Sequence, residues 1–376
     1  MIIDEILKKE VYKALGCTEV VLIGKTVAKA KPKNLDDIKK IRLVLGKEIF
    51  KNAYAVGVPN TGKFGIVPAV VAGLLSKRDD NEVFRDIDYN EELEEKIKNL
   101  IDIELVDKKV YCKVEIFADK LYSAESEEYN VSVDNKLKEQ FKNLNLDDFL
   151  EYINNIPKDI KKLINDVIKT NYEITTPTVD REFLSLDFND ERFRYVLEKT
   201  VSAVYNRMIG VNKVVYAIAG SGNMGLTATV PIIAYDELTN KDKDLLIRSI
   251  TLSALTTIYS SYYSGYTSAM CGCVNRGGLG ALIGLSYYLG KDINKAIKGF
   301  VANLPGIVCD GGKVGCSLKI ASGIFSIFLS LNSSIPYNNG IIGKDFKENI
   351  ININKVANAM ERVDDVIIEI LKTKKI

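Results

Sequence analysis

Apolar positions Ile3, Ile6, Leu7, Val11 and Leu15 recur at helical spacing, so the pattern predicts one amphipathic helix over residues 2–15 with Gly16 as its C-cap. Thr18 is then placed to cap a second helix running roughly from Glu19 to Lys29. Ile41–Leu45, Ala53–Val58 and Val110–Phe117 read as strands, and in the last of these Val110, Cys112, Val114 and Ile116 share one face. From about Asn130 to Asn171 the chain is charged, helical in period and free of glycine, the character of a connector. Beyond Arg192 helical segments dominate, interrupted by glycine-rich loops at Gly220–Gly225, Gly277–Gly280 and Gly311–Gly315. The expected fold class is α+β: an N-terminal α+β part with a small sheet (residues 1–130), a charged helical connector (131–191) and a mostly helical part (192–376) that carries most of the cysteines.

The uncharged run from Ser249 to Asn275 raises the question of a membrane helix. Its many hydroxyls (Thr256, Thr257, Tyr259, Ser260, Ser261) are costly in hydrocarbon, so it reads as a buried, polar-lined interior and no membrane association is expected. No secretory signal is visible at the start, and a cytoplasmic location is expected. The formal charge of +1 leaves no electrostatic footprint for nucleic acid.

Histidine is absent, which excludes Ser-His-Asp and Cys-His catalysis and every His-ligated metal site. A general base must then come from a carboxylate, lysine, tyrosine or thiolate. There are six cysteines, and four of them fall at Cys271, Cys273, Cys309 and Cys316. In Cys309-Asp310-Gly311-Gly312-Lys313-Val314-Gly315-Cys316, glycines let the chain wrap tightly between two thiols, and Cys316 opens an apolar helical run. A helix N-terminus favours thiolate and offers free N–H groups to cluster sulfurs. Cys271-Gly272-Cys273 offers a further thiol, and three protein ligands on a four-iron cluster leave one iron open for Lewis-acid work. The plainer reading, small buried cysteines, weakens as thiols and glycines crowd together. Zinc on four thiolates is the competing metal reading, but the paired C-x-x-C spacing is missing.

Three turns add candidates. Gly16-Cys17-Thr18-Glu19 sets a thiol, a hydroxyl and a carboxylate at a helix start, where a cysteine pKa is ordinarily lowered; a buried Cys beside a capping Thr is the plain alternative. Val58-Pro59-Asn60-Thr61-Gly62-Lys63 suits either an anion-cradling turn or an ordinary Asn/Gly turn. Gly220-Ser221-Gly222-Asn223-Met224-Gly225 matches G-x-G-x-x-G after a strand, yet no second strand ending in an acid follows, so a backbone nest for a carboxylate fits better than a dinucleotide site. Cys112, mid-strand, reads as structural.

With Gly16-Cys17-Thr18-Glu19, Gly220–Gly225, Cys271-Gly272-Cys273 and Cys309–Cys316 following one another along the chain, it resembles the archaeal L-cysteine desulfidase family, itself similar to the iron–sulfur L-serine dehydratases. The resemblance implies a [4Fe–4S] enzyme that converts L-cysteine to sulfide, ammonia and pyruvate. It implies cluster ligands Cys309 and Cys316, with a third from Cys271-Gly272-Cys273, taken as Cys271, and it matches Cys17 to the family's proton acceptor. On that basis Thr18, Glu19, Asn60, Thr61, Gly62, Ser221, Gly222 and Asn223 are expected to hold the substrate, with Glu19 orienting Cys17 or meeting the ammonium. Where the family pattern has proline after Gly-Cys-Thr-Glu, this chain has Val20, which loses pre-organisation but no chemical group. The rivals are a serine dehydratase on the same scaffold, a pyridoxal-phosphate lyase using Lys63 or Lys313, an iron–sulfur redox sensor or electron carrier, and a zinc protein. A homodimer is compatible with the reading, which leaves the assembly open.

Overall fold

A computed structural model describes residues 2–127, 129, 133–180, 182–184, 189–336 and 338–374. The chain opens with a helix, Ile2–Glu10, that buries Ile3, Ile6 and Leu7. It then straightens into β1 (Val11–Ala14), so the single helix expected over residues 2–15 is corrected. The cause is tertiary: β1 pairs antiparallel with a strand some two hundred residues away, Val215–Ile218, with Val11 opposite Ile218 and Ala14 opposite Val215, and a ladder partner outweighs a local helical period. Gly16, at φ +96°, turns the chain from β1 into the helix Thr18–Ala30 rather than closing a helix. That helix starts one residue earlier than expected, with Cys17 at the N-cap and no side chain capping it.

The main sheet is built from β2 (Lys40–Gly46), β5 (Ile101–Val106), β6 (Cys112–Phe117) and β7 (Leu121–Ser126), while β3 (Gly57–Val58) and β4 (Lys63–Phe64) form a short separate hairpin. Its order is β5-β2-β6-β7, parallel between β2 and β5 and antiparallel elsewhere. Cys112, Val114 and Ile116 alternate inward against the helix Thr18–Ala30, as period two requires, and Cys112 stays a packing residue. The strand expected over Ala53–Val58 is corrected: Ile49, Phe50 and Ala53 are buried at helical spacing in Lys47–Ala53, leaving only Gly57–Val58 extended.

The charged stretch before residue 174 forms three amphipathic helices, Asn135–Lys142, Leu146–Asn154 and Lys158–Glu173; Asn130 lies outside the described residues. Their apolar faces reach the core, where the Phe149 ring meets Phe141 and Tyr259, each at 5.5 Å. β8 (Val215–Ile218) leads into the helix Gly222–Thr239. The uncharged run lies mostly in the helix Lys243–Ser264, buried on nearly all sides, and Thr251, Thr257 and Ser261 return their hydroxyls to carbonyls four residues back at 2.7–2.8 Å. Among the described residues no helix is long and apolar enough to cross a membrane. Strands lie in the first 126 residues apart from β8, with helices thereafter, an α+β fold.

Candidate active site

Two distant turns meet because β1 pairs with β8. The end of β1 feeds the Gly16–Glu19 turn, and the end of β8 feeds the Gly220–Gly225 turn, tied by Ala219 N–H to Glu10 O at 3.0 Å. Between them stands Arg207, from the helix Glu191–Met208, donating through Nη2 to Gly16 O (2.6 Å) and through Nη1 to Asn223 Oδ1 (2.9 Å). Gly222 leaves it room, since a Cβ there would lie 2.5 Å from Arg207 Nε. Both turns open onto one cavity, partly open to solvent, and the opposite wall holds four thiols.

On the first wall Glu19 is saturated. Its Oε2 accepts from Cys17 Sγ (2.8 Å) and Thr18 Oγ1 (3.1 Å), and its Oε1 from Asn52 Nδ2 (3.0 Å) and the Tyr129 hydroxyl (3.4 Å). Burial, with the Glu19 charge adding to it, pushes the Cys17 thiol well above its ordinary value. This corrects the lowering expected from a helix N-terminus: a weak dipole effect loses to desolvation when the thiol is 6% exposed. In the cavity Cys17 is a thiol donating to a carboxylate.

On the second wall the main chain does the positioning. Met270 and Val308 form an antiparallel bridge, with Cys271 N–H bonded to Ile307 O and Cys309 N–H to Ala269 O, both at 2.7 Å. Cys271 and Cys309 each sit one residue past the bridge, so they share a face. Cys316 heads the helix Cys316–Leu331, as expected, and its Sγ lies 3.4 Å from Gly311 O. Cys273 begins a π-helical turn, Cys273–Gly277, with its Sγ 3.7 Å from Ser221 Oγ. A hydrogen bond from Cys273 lowers the Cys271 thiol, while that shared proton and burial push Cys273 up. Burial raises Cys309, and Cys316 to about 12. The thiols line the cavity rather than meet at a point: among the described residues no three His, Cys, Asp or Glu side chains are grouped to hold a single metal ion.

Cations back this wall. Lys51, almost fully buried, pairs with Asp364 at 2.5 Å, and its charge acts on Cys309. Lys319 donates to Val308 O at 2.7 Å and pairs with Asp310. Arg276 is buried against Ser264 Oγ and Tyr266 O, both at 3.2 Å. Asn52 joins the two walls, donating to Glu19 and facing Cys309 Sγ at 3.8 Å through its Oδ1.

Of the residues expected at the site, Cys17, Glu19, Ser221, Asn223, Cys271, Cys309 and Cys316 line this cavity. Thr18 supports Glu19, and Gly222 lies under Arg207. Asn60, Thr61 and Gly62 are not brought there. They form the β3–β4 turn, where Asn60 donates to Phe84 O and Arg85 O (2.7 and 2.8 Å) and Thr61 Oγ1 to Val58 O (2.8 Å). Lys63 and Lys313 do not line the cavity either and are engaged with Glu91 and Asp310. Sequence reading missed Asn52, Tyr129, Arg207 and Arg276. The arginines carried one usable signal, a lone cation set in or just after an apolar run with no acid at i±3 or i±4.

The serine dehydratase alpha chain family matches residues 82–372. An L-cysteine desulfidase of Methanocaldococcus jannaschii is 62% identical over 379 aligned residues, covering 100% of this chain and 98% of that protein. L-cysteine desulfidases from two strains of Methanococcus maripaludis are 44% and 46% identical, again across 100% of this chain and 98% of theirs. With a single cavity that joins a thiol–carboxylate pair to a wall of cysteines, and with similarity running the full length, this chain belongs to the L-cysteine desulfidase family, a branch related to the serine dehydratase alpha chain.

Proposed function

We propose that this protein is a carbon–sulfur lyase that eliminates sulfide from L-cysteine, giving hydrogen sulfide, ammonia and, after addition of water, pyruvate. The observation that carries the reading is the meeting in one cavity of the Cys17–Glu19 pair with Cys271, Cys309 and Cys316.

The donor set suits an iron–sulfur cluster. Four soft thiols line the cavity, and the charges of Lys51, Lys319 and Arg276 offset thiolate and sulfide charge. We assign Cys271, Cys309 and Cys316 as the ligands of a [4Fe–4S] cluster. Cys271 is preferred because the Met270–Val308 bridge sets it on one face with Cys309, whereas Cys273 is turned to Ser221. Held there, the cluster would supply a Lewis-acidic iron to the substrate's leaving sulfur.

The chain's own residues handle the proton. Cys17 gives its proton to Glu19 Oε2, already at hydrogen-bond distance, and the thiolate then removes the Cα proton of the substrate. Asn52, Tyr129 and Thr18 hold Glu19 in place, and the Arg207 charge favours the Cys17 thiolate against burial. Ser221 and Asn223 meet the substrate's polar groups across from Cys17. Cys17→Ser is expected to keep iron and visible absorbance while pyruvate release falls about 10²–10⁴-fold; undiminished turnover in that variant removes Cys17 from the mechanism. Because the matching family is described as serine dehydratase, L-serine is the comparison substrate. Faster pyruvate release from serine than from cysteine would turn the assignment to a dehydratase. One-electron cycling without pyruvate would turn it to a redox protein.

A further inference from the structure

Arg207 carries a full charge into the cavity without an acid to balance it. The residue is 3% exposed, and no ion pair among the described residues involves it. Glu19, the carboxylate on the same wall, is already taken by Cys17, Thr18, Asn52 and Tyr129. Of the five guanidinium N–H groups, one meets Gly16 O and one meets Asn223 Oδ1, while Nε has no partner. A buried cation left this way is costly, and a ligand that brings an anion removes the cost. A second feature points to the same ligand. The 18-residue helix Gly222–Thr239 begins here, capped by Ser221 Oγ accepting from Met224 N–H at 3.3 Å, and the amides of its first turn have no helical acceptor.

We infer that Arg207 anchors the α-carboxylate of the substrate, with the Ser221–Asn223 turn completing the site. Arg207 reaches Gly16, the residue before Cys17, and a carboxylate carbon is bonded directly to Cα. Holding the carboxylate on Arg207 therefore brings the Cα proton to the Cys17 side of the cavity and leaves the thiol end of the substrate to the opposite wall. The inference rests on the lyase reading and makes it more specific: the substrate is an α-amino acid with a free carboxylate, and esters, amides and simple thiols are rejected. Arg207 is a binding residue for the reaction, and the lost contact is felt in ground state and transition state alike.

The test is calorimetric titration of the anaerobically purified holoenzyme with 3-mercaptopropionate and with 2-mercaptoethanol, two thiols that differ by the carboxylate, alongside kinetics with L-cysteine. The wild type is expected to bind 3-mercaptopropionate about 100-fold more tightly, the scale of a charge-assisted pair. Arg207→Met should erase that preference and raise KM for L-cysteine by a similar factor, with cluster absorbance unchanged, and kcat should fall as well because the charge that favours the Cys17 thiolate is lost. Gly222→Ala tests the same point without touching the charge, because its Cβ would displace Arg207 Nε; it too should lose the preference. Equal affinity of the wild type for the two thiols overturns the inference, and so does an unchanged preference in either variant. If Arg207→Met fails to fold, the wild type and Gly222→Ala still decide. Absence of pyruvate from wild type and cysteine overturns the reaction instead, which the binding preference does not depend on.

Discussion

The two walls of the cavity solve different problems with different parts of the chain. The Cys17 wall is made of side chains that satisfy one another: a carboxylate with four donors and a thiol lifted by burial. The thiol wall is made by the main chain, through a bridge between two loops, a π-turn and a helix start, with cations behind it. The serine dehydratase match over residues 82–372 takes in all of the thiol wall and stops short of Cys17, Glu19 and Asn52. Proton transfer needs one pair held at one distance, whereas a soft metal centre needs several donors held rigidly by backbone, and the fold separates these demands until tertiary packing joins them.

That division can be broken most decisively by metal analysis. Cys309→Ala and Cys316→Ala should lose essentially all iron, as should Cys271→Ala, while Glu19→Gln keeps it and loses turnover; iron retained in Cys271→Ala and lost in Cys273→Ala would move the third ligand to Cys273. Lys51→Met probes the cations behind the thiols. It leaves Asp364 buried without its partner, and chemical denaturation should show a loss of about 3–5 kcal/mol. Asn52→Ala, at the junction of the walls, should cut turnover about tenfold by removing one of the two donors to Glu19 Oε1, with iron content unchanged; a loss of iron would place Asn52 on the metal side.

The smallest effect concerns Glu48, which burial raises to about 7 and which accepts from Thr267 at the cavity edge. An acid whose folded value lies above its unfolded one gives full stability below the unfolded value near 4.5 and loses it as pH rises through about 7. Glu48→Gln should therefore match the wild type at pH 4 and exceed it by roughly 3 kcal/mol at pH 8, read from denaturation curves at both values. Identical curves at pH 8 would show that Glu48 is not desolvated.

What could be read from the sequence follows from how local each feature is. Cys17, Ser221, Asn223 and the thiols could be singled out because each sits in a glycine-bounded turn or at a helix start, features that few neighbouring residues determine, while their gathering in one site was implied only by the family resemblance. Asn52, Tyr129 and Arg207 could not be singled out, because they reach the cavity from elements whose cavity-facing side is chosen only by packing. The Asn60–Gly62 turn misled for the converse reason: an anion-cradling turn and an ordinary one share a composition, and nothing nearby says which way they face. Residues 11–14 have the period of a helix and lie in a strand because their partner is at 215–218.

That β1–β8 ladder has a consequence for biogenesis. A nascent chain emerging from the ribosome holds Val11–Ala14 long before residues 215–218 exist, and closing so wide a loop is entropically slow. The cavity is completed later still, once the helix at Cys316 has followed. Any cluster that the thiols would hold must therefore wait until residues 309–316 have followed.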